Sequence, residues 1–173
     1  MSEQLKYRNF AMILYPDSMP DGSIEKLLSS DIKVAISPLH QPESDETKPH
    51  YHTILLYDGP RDFNVLNEQL KDTYHCPKIQ KVENVSQAMH YLIHLGWDTK
   101  IQYPFETIRS NFDIRRYFAD DIFVLDIIRY CEDHNIHNYA GLIKNLMHDA
   151  RFDYVEKVAK SSYFFKCYFE GVM

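Results

Sequence analysis

The sequence predicts an α+β fold: a ferredoxin-like antiparallel sheet with helices, followed by a small all-helical domain. Three observations predict it. Short apolar runs bounded by turn residues alternate with stretches of helical spacing in the order β, α, β, β, α, β, α, the pattern of a split βαβ sheet with helices on one face. From about Asp120 onward helical spacing is nearly all that remains. The composition, 45% hydrophobic with 25% charged over 173 residues, is that of a folded chain large enough for one domain and a small appendage.

The first strand is "NFAMILY", Asn9 to Tyr15, ended by the turn cluster "PDSMPDGS". A short helix follows from Ser23, a residue able to cap it, through Ile24, Leu27 and Leu28. "KVAISPLH", Lys33 to His40, is a second strand whose regular pairing Pro38 should end. The acidic segment Gln41 to Pro49 is a loop. His50 to Tyr57 is the third strand, closed by a turn at "DGPRD". Phe63, Leu66, Leu70 and Tyr74 recur at helical spacing. "PKIQKVE", Pro77 to Glu83, alternates like a strand, and "SQAMHYLIH", Ser86 to His94, reads as a helix capped by Ser86. A hinge is placed between Asn111 and Ala119.

His50 and His52 in "KPHYHTILLY" are two apart in a strand, so they share a face. If the second and third strands are neighbours, His40 meets them beside a loop carrying Glu43, Asp45 and Glu46. Three imidazoles and a carboxylate suit a divalent metal with open coordination positions, fit for Lewis-acid work on a phosphoryl group. An isolated HxH is more often a hydrogen-bonded pair at a sheet edge; the third histidine and the acidic loop tilt the balance toward metal. In "HYLIH" the spacing of His90 and His94 is that of a zinc protease, but Tyr91 occupies the place of the general base. Tyr91 is either a core aromatic or, facing a metal-bound phosphate, a nucleophile. Cys131, His134 and His137 lack a fourth ligand and read as a solvated helix end.

The formal charge is −6, with 13 basic against 16 acidic residues up to position 117 and 6 against 9 beyond it. That argues against a surface coated in positive charge, while a bound cation would supply positive charge where a phosphate sits. Three scattered cysteines without a CxxC pair suggest no disulfide framework or zinc ribbon, and no apolar run approaches a spanning helix; a reduced, cytoplasmic protein without a membrane partner is expected.

"ISPLH", "HYH" and "MHYLIH" in this order, with "RNFAMILYPDSMP" before them and "NFDIRRY" and "FFKCYFEGV" after, resemble the HUH endonucleases, specifically the rolling-circle plasmid replication initiators (Rep) of the streptococcal RepB class. The likeness runs over nearly the whole chain. It implies an HUH nuclease fold, with residues 1–117 as origin-binding and nicking domain and 118–173 as helical oligomerisation domain. It makes His40, His50 and His52 metal ligands together with Glu43, or Asp45 in its place, for Mn²⁺ or Mg²⁺. Tyr91 becomes the nucleophile of a nicking and closing transesterification at the plasmid's double-strand origin. The implied partners are origin DNA, as duplex repeats and as the single-stranded nick site, further copies of the chain in a ring such as a hexamer, and host replication proteins. His94 and Lys48 lie near enough in sequence to touch phosphate, without an assigned role. Competing readings are an HUH mobilisation relaxase and a non-catalytic ferredoxin-like nucleic-acid-binding module, in which Tyr51 and Tyr57 would stack on bases. A two-histidine phosphodiesterase ranks last, because Thr53 follows His52 directly instead of completing an H-x-T/S signature.

Overall fold

The structure, a computed structural model, describes residues 5–41 and 48–171. The chain divides into two units, Met1–Phe118 and Ala119–Met173.

The first unit is built on β1 (Lys6–Leu14), α1 (Ser23–Leu28), β2 (Lys33–Ile36), β3 (Tyr51–Asp62), α2 (Phe63–Tyr74), β4 (Ile79–Lys81), α3 (Val85–Tyr91) and β5 (Arg109–Ser110). The five strands form one antiparallel sheet in the order β4-β1-β3-β2-β5. The first four therefore make the expected split βαβ arrangement, and β5 adds an edge that the sequence did not announce. Phe10, Met12 and Leu14 of β1, Val34 and Ile36 of β2, Leu55 of β3 and Ile79 of β4 alternate onto one face. There Ile24 and Leu27 of α1 and Leu66, Leu70 and Tyr74 of α2 bury them. The helices do not all lie on that face: α3 flanks the opposite one, beside Ala11, Ile13, His52 and Ile54.

Several boundaries differ from the sequence reading, each for a local reason. Helix α1 is preceded by Gly22 at φ 74°, without a side-chain cap, and the Ser23 hydroxyl donates instead to the Pro20 carbonyl at 2.6 Å. Helix α3 is capped by Asn84, whose side chain accepts from the Gln87 N–H at 3.0 Å, rather than by Ser86, and it ends at Tyr91, leaving His94 outside the helix. Strand β3 continues through "DGPRD" to Asp62, whose carboxylate caps α2 by accepting from the Asn64 and Val65 N–H groups. This continuation is possible because β2 pairs only as far as Leu56, so Pro60 loses no ladder bond on that side. From Asn9↔Leu56 to Tyr7↔Arg61, β3 advances five residues against two on β1, a bulge made of the turn formers.

Asn111 anchors the β2 edge. Its Oδ1 accepts from Val34 N–H at 2.8 Å and its Nδ2 donates to the carbonyls of Ser30 and Ile32 at 3.1 and 2.8 Å.

The second unit contains α4 (Ala119–Asp133), α5 (Tyr139–His148), α6 (Phe152–Lys160) and α7 (Ser162–Glu170). Its own core gathers Phe123, Ile127, Leu142, Leu146, Val158 and Phe165. Among the described residues no helix is long and apolar enough to cross a membrane.

Candidate active site

Strand β3 sets the geometry. Tyr51, Leu55 and Tyr57 point into or against the helix-covered core, so His50, His52 and Ile54 emerge on the other face. Beyond β2 the ladder survives the approach to Pro38 because the Ser37 hydroxyl accepts from His52 N–H at 2.9 Å, while Ser37 N–H donates to the His52 carbonyl at 2.9 Å. His40 then rejoins the pairing opposite His50: His40 N–H donates to the His50 carbonyl at 2.9 Å and His50 N–H to that of His40 at 3.2 Å. Two residues ten apart in sequence are thus held face to face by main-chain bonds.

The ligand atoms of His40, His50 and His52 all lie within 4.8 Å of one another, and they form the only such group of three or more metal-binding side chains among the described residues. Two of the rings are aimed by carbonyls. His40 Nε2–H donates to the Leu92 carbonyl at 2.9 Å, which leaves the Nδ1 lone pair free, and His50 Nδ1–H donates to the Lys48 carbonyl at 2.8 Å, which leaves that of Nε2. This is how metal-binding imidazoles are commonly oriented. Nε2 of His50 and Nε2 of His52 are 3.1 Å apart. Burial pulls His40 down to about 4 against the raising effect of the Leu92 carbonyl, with His94, His50 and Lys100 adding to the fall. Burial likewise takes His52 to about 3, with His40, His50, His94 and Lys100 behind it. Both rings are therefore neutral at pH 7, the form in which an imidazole can hold a metal. Neutral imidazole donors suit a borderline divalent cation, and this set fits one.

Glu43 and Asp45 lie outside the described residues.

Tyr91, the last residue of α3, brings its ring edge-on to His52, centroids 5.0 Å apart. Trp97 at 5.0 Å and His94 at 5.2 Å enclose the same ring. Lys100 Nζ donates to its hydroxyl at 3.2 Å. A groove of about 720 Å³ opens beside Tyr91 and His52, floored by Ala11 and Ile13 and edged by Gln80, Asn84 and Gln87.

The two histidines of "HYLIH" part company. His90 Nε2 contacts the Tyr117 carbonyl at 2.8 Å, whereas His94, at φ 56°, is buried and donates Nδ1–H to the Ile101 carbonyl at 2.7 Å. His94 Nε2 is buried without a hydrogen-bond partner among the described residues, and its ring lies 4.2 Å from that of His40. Lys48 serves the site through its carbonyl, its ammonium pairing with Asp17 at 3.7 Å. Cys131, His134 and His137 do not converge: His134 Nδ1 meets the Tyr130 carbonyl and His137 meets Asn135.

Tyr103, Trp97 and Lys100 were not singled out as candidates for this site from the sequence. They occupy a turn-rich segment without periodicity, and only a chain reversal, sealed by Tyr103 N–H donating to the Ile93 carbonyl at 3.1 Å, brings them in. A signal existed in the four aromatic or histidine residues from Tyr91 to Tyr103 inclusive, three of which lie beyond the end of α3.

Residues 2–115 match the family model described as plasmid replication protein, origin binding domain. The chain belongs to this plasmid replication protein family. Relatives include the replication protein RepB of Lactiplantibacillus plantarum, 29% identical over 119 residues, 66% of this chain and 50% of that protein. The replication protein of Staphylococcus aureus is 29% identical over 106 residues, 57% and 51% of the two chains. RepB of Streptococcus agalactiae is 30% identical over 132 residues, 68% and 63%. The chain of this origin-binding-domain family member spans about half the length of the first two curated relatives.

Proposed function

We propose that this chain initiates rolling-circle plasmid replication by nicking and rejoining one DNA strand at the double-strand origin. The observation that carries the reading is Tyr91 held against His52 of the histidine cluster, in a chain of plasmid-replication family. His40, His50 and His52, with Glu43 or Asp45, would hold Mn²⁺ or Mg²⁺. Such a cation, when bound, withdraws charge from the scissile phosphate.

The chain's own residues do the rest. The phenol of Tyr91 adds to phosphorus in an unpaired strand as the bond from phosphorus to the 3′-oxygen breaks. The product is a 5′-phosphotyrosine, and the phenol's proton ends on the 3′-hydroxyl, which a polymerase can extend. Rejoining is the reverse. Trp97, His94 and His52 confine the ring, so that the oxygen meets phosphorus with little orientational freedom to lose. The groove beside Tyr91, walled by amides and apolar side chains with Lys78 and Lys81 to meet phosphate and Glu83 beside Lys81, suits an unpaired strand better than a duplex. Duplex repeats would be read elsewhere on the first unit. We assign the helical unit to self-association, in a ring, and to host-protein contacts; its exposed Leu125, Met147, Phe152 and Tyr163 support that assignment.

The test is cleavage of a single-stranded oligonucleotide from the cognate origin, with Mn²⁺, with EDTA, and with Tyr91→Phe. The expected result is a covalent protein–DNA adduct formed only with metal and lost in Tyr91→Phe, which still binds. Cutting that survives Tyr91→Phe refutes the nucleophile. A cognate origin bound and never cut leaves a non-catalytic binding module.

A further inference from the structure

We propose that Lys100 is a catalytic residue of strand transfer, its ammonium group meeting the negative charge that gathers on the phenolic oxygen of Tyr91 as that oxygen attacks and, on rejoining, departs. The inference rests on Tyr91 being the nucleophile, and adds to that reading a second residue at the reacting atom.

Lys100 Nζ lies 3.2 Å from the Tyr91 hydroxyl and 5.4 Å from the centre of its ring. The ammonium is thus drawn to the oxygen rather than seated over the π face alone. The two residues are nine apart, beyond a helix that stops at Tyr91, so the contact depends on how the chain turns back. Two residues in the left-handed region turn it, His94 at φ 56° and Gly96 at φ 84°. Successive tight turns follow: Trp97 N–H donates to the His94 carbonyl and Lys100 N–H to the Trp97 carbonyl, each at 3.0 Å. A non-glycine residue in that region is strained, and strain of this kind concentrates at functional sites. The same turns seat Trp97 edge-on to the Tyr91 ring, so one reversal delivers a wall for the phenol and a cation for its oxygen.

The chemistry calls for such a cation. A metal held among the histidines would act on the phosphate, which leaves the Tyr91 oxygen to be met by another charge. In the forward step the bond from Tyr91 oxygen to phosphorus forms and the bond from phosphorus to the 3′-oxygen breaks. In the reverse step the phenol oxygen leaves with the electron pair of its bond to phosphorus. A fixed ammonium at 3.2 Å serves both directions without reorganising.

The experiment compares Lys100→Met, Lys100→Arg and Tyr91→Phe in the full chain with Mn²⁺ and a single-stranded origin oligonucleotide. It reads affinity, single-turnover cleavage, and rejoining from the covalent adduct. Lys100→Met is expected to slow cleavage and rejoining by about 10² to 10³-fold, with affinity changed less than about threefold and Lys100→Arg recovering much of the rate. With sulfur in place of the bridging 3′-oxygen the Lys100→Met defect should persist, since Lys100 acts at the opposite end of the breaking bond. If Lys100→Met cuts at the wild-type rate while Tyr91→Phe is inert, the role of Lys100 is overturned and that of Tyr91 stands. A defect confined to affinity makes Lys100 a phosphate contact, and one cured by the sulfur substrate makes it the partner of the leaving oxygen; either overturns the proposal. If Tyr91→Phe itself cuts, both readings fall. Trp97 fluorescence verifies the fold of each variant, and Lys100→Gln replaces Lys100→Met if the latter melts early.

Discussion

Tyr103 lies flat on His40, ring centroids 4.9 Å apart and planes within 4°. Its hydroxyl accepts from Gln41 N–H at 3.2 Å, at the point where the chain leaves His40 for the acidic loop. The stack and the Leu92 carbonyl together fix the plane of a ring that stands beside the other two histidines. Replacing Tyr103 by Leu should leave the sheet intact and weaken Mn²⁺ binding by about 10-fold, at the low end of what an outer partner of a metal ligand contributes. Calorimetric titration checks this.

His52→Ala removes one of the three nitrogens and the ring against which Tyr91 rests. Metal-dependent cleavage should fall below detection, and Mn²⁺ binding followed by electron paramagnetic resonance should fall with it. Retained Mn²⁺ affinity would show that the cation sits elsewhere.

The first unit should lose stability in acid. In the metal-free protein His40 and His52 titrate at about 4 and about 3, against 6.5 when unperturbed. Between those values the unfolded chain binds more protons than the folded one, so stability rises with pH through this window and falls as pH drops from about 6.5 toward about 4. Thermal melts followed by Trp97, the single tryptophan, read this unit directly. His52→Gln should flatten the slope.

Asn111→Ala deprives Val34 N–H and two carbonyls of their partner at once. The expected cost is about 1 kcal/mol, chiefly from the part-buried Val34 N–H, since the two exposed carbonyls can turn to water. Urea unfolding followed by Trp97 measures it.

In the helical unit Phe165 is fully buried against Phe123, ring centroids 6.2 Å apart. Phe165→Ala should cost about 3 to 5 kcal/mol, read as early loss of helical circular dichroism.

The sheet was legible because alternation and turn residues agree along β1, β2 and the first half of β3, and the facing of His50 and His52 follows from strand parity alone. What misled was turn chemistry. Gly59 and Pro60 signal a turn, and they do make an irregularity, but one contained within a paired strand where no β2 neighbour remains to object. Strand β5 has two residues and no period to detect; pairing with β2 and the Asn111 side chain define it. In the site, the histidines are readable because they sit on regular elements or at their ends, whereas Tyr103, Trp97 and Lys100 depend on a reversal encoded by single left-handed residues. Tyr91 was readable as a candidate, but its approach to His52 depends on the crossing of α3 over the sheet, which no local pattern specifies.

The bulge opposite Arg8 gives β3 two unlike ends. Near Tyr57–Pro60 the strand already carries three residues more than β1 can match, so one more or one fewer there is taken up as slack. Between Tyr51 and Leu56 the strand is gripped from both sides, and a single inserted residue would turn His50 and His52 toward the helix-packed interior and present Tyr51 in their place. Length can therefore drift at one end of this strand across a lineage, while the other end is keyed like a lock that accepts one alignment.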